Sequence, residues 1–180
     1  LAKTTLPENL EMLVFGDITA LMNVAKKLGL ILPQNIVYAS TEKSSVGLTS
    51  YQALCDAYKL AMQSPDNTAI VTGPISKARL KQAGLDYGGH TEIFADLLNR
   101  DLVYTCPEML FAYQNFRVML LTRHETLFDV PNILSADKIT EQCRTLYQFL
   151  RHTVKIDNPK VGMLALNPHA GEIGGDEESI

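Results

Sequence analysis

Thr68-Ala69-Ile70-Val71-Thr72-Gly73-Pro74-Ile75-Ser76-Lys77 is the stretch on which the fold turns. A short apolar run, a turn built on Gly73-Pro74 and a serine placed to start a helix read as strand, turn and helix. The strand is expected over residues 68–71 and the helix over about 76–83, followed by Gly84. Ser64-Pro65-Asp66-Asn67 breaks the chain just before it. Upstream of that break, residues 49–62 read as a helix with Ala53, Ala57, Leu60 and Ala61 on one side.

The same alternation continues outward. Residues 11–15 read as a short buried strand before the turn Gly16-Asp17, residues 18–28 as a helix closed by Gly29, and residues 36–38 as another strand. After the pair Gly88-Gly89, a helix is expected over about 91–98, with Thr91 as a possible cap. Residues 109–113 and 116–121 flank Gln114-Asn115 as a hairpin would. Ser135 caps a helix over 136–151, where Ile139, Cys143, Leu146 and Leu150 repeat on one face. Residues 161–166 read as a buried strand. Strands alternating with helices predict an α/β protein with a mostly parallel sheet plus an antiparallel hairpin.

Composition narrows the function classes. The 180 residues are 46% hydrophobic and 20% charged, with a net charge of −4, which excludes disorder as the main state. The longest apolar runs are far shorter than the roughly 20 residues a bilayer needs, so no membrane partner is expected. Sixteen basic against 20 acidic residues leave no basic stripe for nucleic acid. Cys55, Cys106 and Cys143 are odd in number and widely spaced, which predicts free thiols in a reducing cytoplasm. Leu1 is not an initiator methionine, and an acidic helix start at Asp176-Glu177-Glu178 stops after one turn, as expected of a fragment.

Ligands of such sheets gather beyond the carboxyl ends of the strands. Three histidines fall in turns of that kind: His90, His124 and His169. His124 and His169 each follow a separate expected strand, and neutral imidazole is a common zinc ligand, so both are metal candidates. His90-Thr91 opens a helix behind two glycines, where unpaired N–H groups suit a phosphate or carboxylate; an ordinary helix cap with a surface histidine accounts for it equally. Lys77 either reaches an anion or is a plain surface lysine, and the Walker pattern is absent. Arg123 pairs with a substrate anion or with Glu125. His152 ends a helix, where the dipole favours a cation, and is given no function.

Taken together, Val71-Thr72-Gly73-Pro74-Ile75-Ser76-Lys77, Gly89-His90-Thr91-Glu92, Leu121-Thr122-Arg123-His124 and Leu166-Asn167-Pro168-His169-Ala170-Gly171-Glu172 resemble the 4-hydroxythreonine-4-phosphate dehydrogenase family of pyridoxal phosphate biosynthesis. The resemblance is strong from about residue 68 to 180 and weaker before. It implies α/β/α layers like those of isocitrate and isopropylmalate dehydrogenases, here incomplete. Residues 1–85 would belong to a first domain, and residues 86–180 to a second that carries metal ligands and dimer contacts. It also implies a cytoplasmic homodimer that oxidises 4-phosphohydroxy-L-threonine with NAD or NADP. The product is a β-keto acid that decarboxylates to 3-amino-2-oxopropyl phosphate. A divalent metal (zinc, magnesium or cobalt) would be held by three histidines shared across the dimer.

Two of those histidines map onto His124 and His169, and the third onto a segment outside this sequence. The substrate-contacting pair maps onto His90 and Thr91. The family's N-terminal Gly-rich turn is also outside it, so this chain alone is expected to be inactive. Two other readings stay open: a dehydrogenase of erythronate or threonate 4-phosphate, and a metal-dependent phosphoester hydrolase. A non-catalytic binding module would bind neither metal nor nicotinamide.

Overall fold

The computed structural model describes residues 7–33, 36–41, 45–101 and 107–166. They fall into two compact units, Leu1–Pro107 and Glu108–Ile180. The helix that follows His90 buries Ile93 and Leu97 in the core of the first unit.

That unit opens with strand β1 (Leu13–Gly16), helix α1 (Ile18–Lys27) and strand β2 (Val37–Ser40). The strands pair in parallel, Leu13 opposite Val37 and Gly16 opposite Ser40. A parallel pair needs a crossover, and α1 supplies it. The Asp17 carboxylate caps α1 by accepting from the Ala20 N–H at 3.0 Å. Gly29, at φ 62°, ends it. There the Leu30 N–H donates to the Ala25 carbonyl and the Gly29 N–H to the Lys26 carbonyl, the paired closure that a left-handed glycine permits.

Helix α2 (Val46–Gln63), α3 (Lys77–Gln82) and α4 (His90–Arg100) make the core. Leu54, Cys55 and Tyr58 of α2 meet Leu80 of α3 and Ile93 and Leu97 of α4, and Leu80 and Ile93 are fully buried. The buried stripe of α2 is made by its large side chains, which turn toward the neighbouring helices. A Cβ on Gly47 would stand 2.1 Å from the Arg79 carbonyl oxygen, so α2 and α3 touch there backbone to backbone.

Residues 68–71 form no strand. Among the described residues no strand pairs with them, and a strand exists only through its ladder. Ile70 packs on the core, whereas Val71 is 93% exposed.

The second unit holds the antiparallel hairpin β3 (Leu110–Tyr113) and β4 (Phe116–Met119), with Tyr113 opposite Phe116. Gln114 takes the left-handed conformation, φ 50°, in its tight turn. A short helix α5 (Val130–Ile133) precedes α6 (Ala136–His152), which Ser135 caps as expected. Its buried residues are Ile139, Gln142 and Leu150, with Cys143 and Leu146 only half-buried. Gln142 donates to the Glu108 carboxylate at 2.9 Å and ties α6 to the start of the hairpin. Residues 161–166 are likewise no buried strand: all are exposed, and Leu164 is 93% so. The described strands therefore make one parallel pair and one separate antiparallel pair.

Candidate functional site

His90 is the first residue of α4 and Thr91 the second, both half-buried. Gly89 is the N-cap, in extended backbone, and no side chain caps this helix. Thr91 is therefore not the cap, because it already lies inside the helix, two positions after Gly89. The Glu92 carboxyl lies over the two glycines instead, and a Cβ on Gly88 would meet it at 3.4 Å.

Behind this turn sits a polar cluster that pattern reading missed. The Tyr87 hydroxyl donates to Asp96 Oδ2 at 2.5 Å, and Arg100 donates to the same oxygen at 2.6 Å. The Tyr87 ring stacks on Tyr51 of α2, with centroids 5.8 Å apart and planes at 12°. The Asp96 hydrogen bond, followed by burial, holds the Tyr87 hydroxyl far above the usual tyrosine range. The same bond lowers the Asp96 carboxyl. The signal in the sequence was faint: an aspartate set between the core residues Ile93 and Leu97.

A second buried tyrosine, Tyr58, donates to Asp101 Oδ2 at 2.7 Å and is pushed up to about 12, chiefly by burial. Cys55 is buried beside it in the core, and loss of water raises its thiol. Such a thiol is inert packing, not a nucleophile.

His124 is exposed in the turn that follows β4. One Glu125 oxygen accepts from the backbone N–H of Arg123 at 2.5 Å and of His124 at 2.9 Å. These backbone donors, Arg123 first, lower the Glu125 carboxyl. Arg123 thus does meet Glu125, through its main chain. Lys77 is exposed as the first residue of α3, which Ser76 caps. His152 is the last residue of α6 and exposed, where a helix end favours a cation.

His169 lies outside the described residues, as does Cys106. No strand among the described residues pairs with residues 161–166, the segment that leads toward His169. Among the described residues no three histidine, cysteine or acidic side chains group as a metal site. The exposed imidazole of His124 is a side chain of the kind zinc and related ions take. No helix among the described residues is long and apolar enough to cross a membrane.

Parallel βαβ pairing and a helix-lined core define a mixed α/β protein. Comparison with known sequences makes this specific. The family model "Pyridoxal phosphate biosynthetic protein PdxA" matches residues 7–180, and the chain belongs to that family. A 4-hydroxythreonine-4-phosphate dehydrogenase of Geobacter metallireducens is 40% identical over 135 residues, 74% of this chain and 38% of the relative. One from Vibrio vulnificus is 40% identical over 112 residues, 61% of this chain and 33% of the relative. A Symbiobacterium thermophilum protein provisionally named D-threonate 4-phosphate dehydrogenase is 32% identical over 138 residues, 76% of this chain and 39% of the relative. The chain spans 38% of the Geobacter relative's length. The family match begins at residue 7, so it includes β1 and α1, where the motif resemblance was weaker.

Proposed function

We propose that the chain is part of an NAD- or NADP-dependent, divalent-metal-assisted dehydrogenase of 4-phosphohydroxy-L-threonine. The observation that carries this is the family match over residues 7–180, together with relatives bearing that enzyme's name. The reading extends to a cytoplasmic homodimer of the isocitrate dehydrogenase-like fold that shares its metal site between subunits. The product is a β-keto acid that decarboxylates to 3-amino-2-oxopropyl phosphate.

His124 and His169 are assigned to the metal, and zinc, magnesium and cobalt are the ions to try. His90 and Thr91 are assigned to the polar end of the substrate, and Lys77 to an additional anion contact. A divalent metal held by His124 and His169 would supply Lewis-acid polarisation of a substrate alcohol, and a bound nicotinamide would supply the hydride acceptor. The chain's own residues bind and orient. The exposed His124 imidazole stands on a turn whose backbone Glu125 ties down. His90 and Thr91 stand at the start of α4, where unpaired N–H groups and the helix dipole favour a negative group.

The threonate 4-phosphate reading stays beside the first because one relative carries that name. The test is absorbance of reduced nicotinamide with the full-length protein and NAD+ or NADP+, with and without chelator. 4-Phosphohydroxy-L-threonine and D-threonate 4-phosphate are run side by side. Faster turnover of the amino acid, abolished by chelator and restored by zinc or magnesium, supports the first reading. Preference for the threonate moves the assignment to the second. Phosphate release without any reduced nicotinamide points to a hydrolase and overturns both.

A further inference from the structure

The cluster behind the Gly88-Gly89 turn carries more than stability. Tyr87 is the last residue before the two glycines, and Asp96 lies six residues after His90, a rise of about 9 Å along α4. The Tyr87 side chain therefore runs back beside the first turns of the helix it precedes. Its hydroxyl is fastened to Asp96 at 2.5 Å, Asp96 is fastened to Arg100 at 2.6 Å, and its ring is stacked on Tyr51 of α2. On the other side, Ile93 and Leu97 anchor α4 in the core. The segment 88–91 is thus held at both ends, three residues before His90 and three residues after it.

Such a device answers a specific difficulty. Two adjacent glycines have more backbone freedom than any other pair, and that freedom must be removed if the residues after them are to stay in place. Gly89 is an uncapped helix start, so no side chain on the turn itself does so.

We propose that Tyr87 and Asp96 are positioning residues for His90 and Thr91, holding the glycine turn in the geometry that receives the substrate. The proposal rests on the reading of His90 and Thr91 as substrate contacts. Neither residue need touch the substrate. Their effect passes through the backbone of 88–91, and misplacing groups that hold the substrate weakens its binding.

The experiment uses the full-length enzyme and reads KM and kcat separately, with thermal denaturation alongside. Tyr87→Phe keeps the ring, its stack and the Asp96–Arg100 pair, and removes one hydroxyl. KM for the phosphorylated substrate is expected to rise about tenfold, with kcat changed less than threefold, the pattern of lost binding. Asp96→Asn keeps an acceptor for the hydroxyl and is expected to stay within threefold of the parent, whereas Asp96→Leu follows Tyr87→Phe. A lower melting temperature with KM within twofold in both Tyr87→Phe and Asp96→Leu overturns the proposal and leaves the cluster as packing. His90→Ala and Thr91→Val separate the two failures. If these raise KM and the Tyr87 and Asp96 variants do not, only the positioning role falls. If these leave KM unchanged, the substrate-contact reading falls and the proposal with it.

Discussion

Replacing Gly47 by alanine sets two known effects against each other, and the structure decides the sign. Alanine favours a helix over glycine by up to about 1 kcal/mol, so on propensity alone the variant at the second residue of α2 should be more stable. The new methyl, however, would lie 2.1 Å from the Arg79 carbonyl oxygen, 2.7 Å from its carbon and 3.0 Å from the Ala83 Cβ. Two of these are backbone atoms, so no side-chain rotation relieves them. The helices must separate by about 1 Å to reach ordinary contact, and overpacking of this kind costs about 1–3 kcal/mol, occasionally more. Moving α3 outward also draws on Leu80, which is fully buried beneath it. A contact this close to backbone atoms stands at the upper end of that range, about 3 kcal/mol, so we expect a net destabilisation of about 2 kcal/mol, a fall in melting temperature of roughly 8–16 °C for a unit of this size. Thermal and urea denaturation of the chain measure it. Gly73→Ala, with nothing within 4 Å of its added methyl, is the control and should stay within about 0.5 kcal/mol. A Gly47→Ala chain as stable as the parent, or more so, would refute the close approach of α2 and α3.

Other expectations are as direct. Leu80→Ala should cost about 3 kcal/mol, because Leu80 is fully buried at the meeting of α2, α3 and α4; a denaturation midpoint near the parent's would place it outside the core. In the full-length protein, His124→Ala should sharply lower bound metal by elemental analysis, together with turnover, whereas His152→Ala should change neither. Unaltered metal content in His124→Ala would strike that residue from the ligand set. For Tyr58 the folded value of about 12 lies above the unfolded value near 10, so the folded state favours the neutral hydroxyl. Its contribution is complete below about pH 10 and is lost as pH rises toward 12, so Tyr58→Phe should flatten the alkaline fall in stability. Asp96 is shifted the other way: its carboxyl is lowered, and its contribution is present above the usual carboxylate range and lost as pH falls through it. Acid titration of Asp96→Asn against the parent should show a shallower loss.

The helices and the hairpin were legible in the residues because their causes are local. Asp17 and Ser135 accept from N–H groups three residues on, Gly29 closes its helix through a left-handed φ, and Gln114-Asn115 turns the hairpin within two residues. Every bond involved joins near neighbours, so the pattern is written in the sequence. The family, too, was readable from short motifs around His90, His124 and His169.

What a local reading could not supply is partnership. Residues 68–71 and 161–166 have the composition of strands, but a strand is made by a ladder, and Val71 and Leu164 stand 93% exposed where that ladder was expected. The same reason explains α2, whose buried stripe is set where Leu54, Cys55 and Tyr58 meet Leu80, Ile93 and Leu97. It also explains Tyr87 and Asp96, nine residues apart, whose hydrogen bond exists because α4 brings the carboxylate back alongside the turn. Helix ends and turns follow from bonds between neighbours, so the sequence by itself determined them. The buried faces, the extended segments without a strand partner among the described residues and the hydrogen bond behind the glycine turn depend on residues brought together from a distance, and only the tertiary structure decided them.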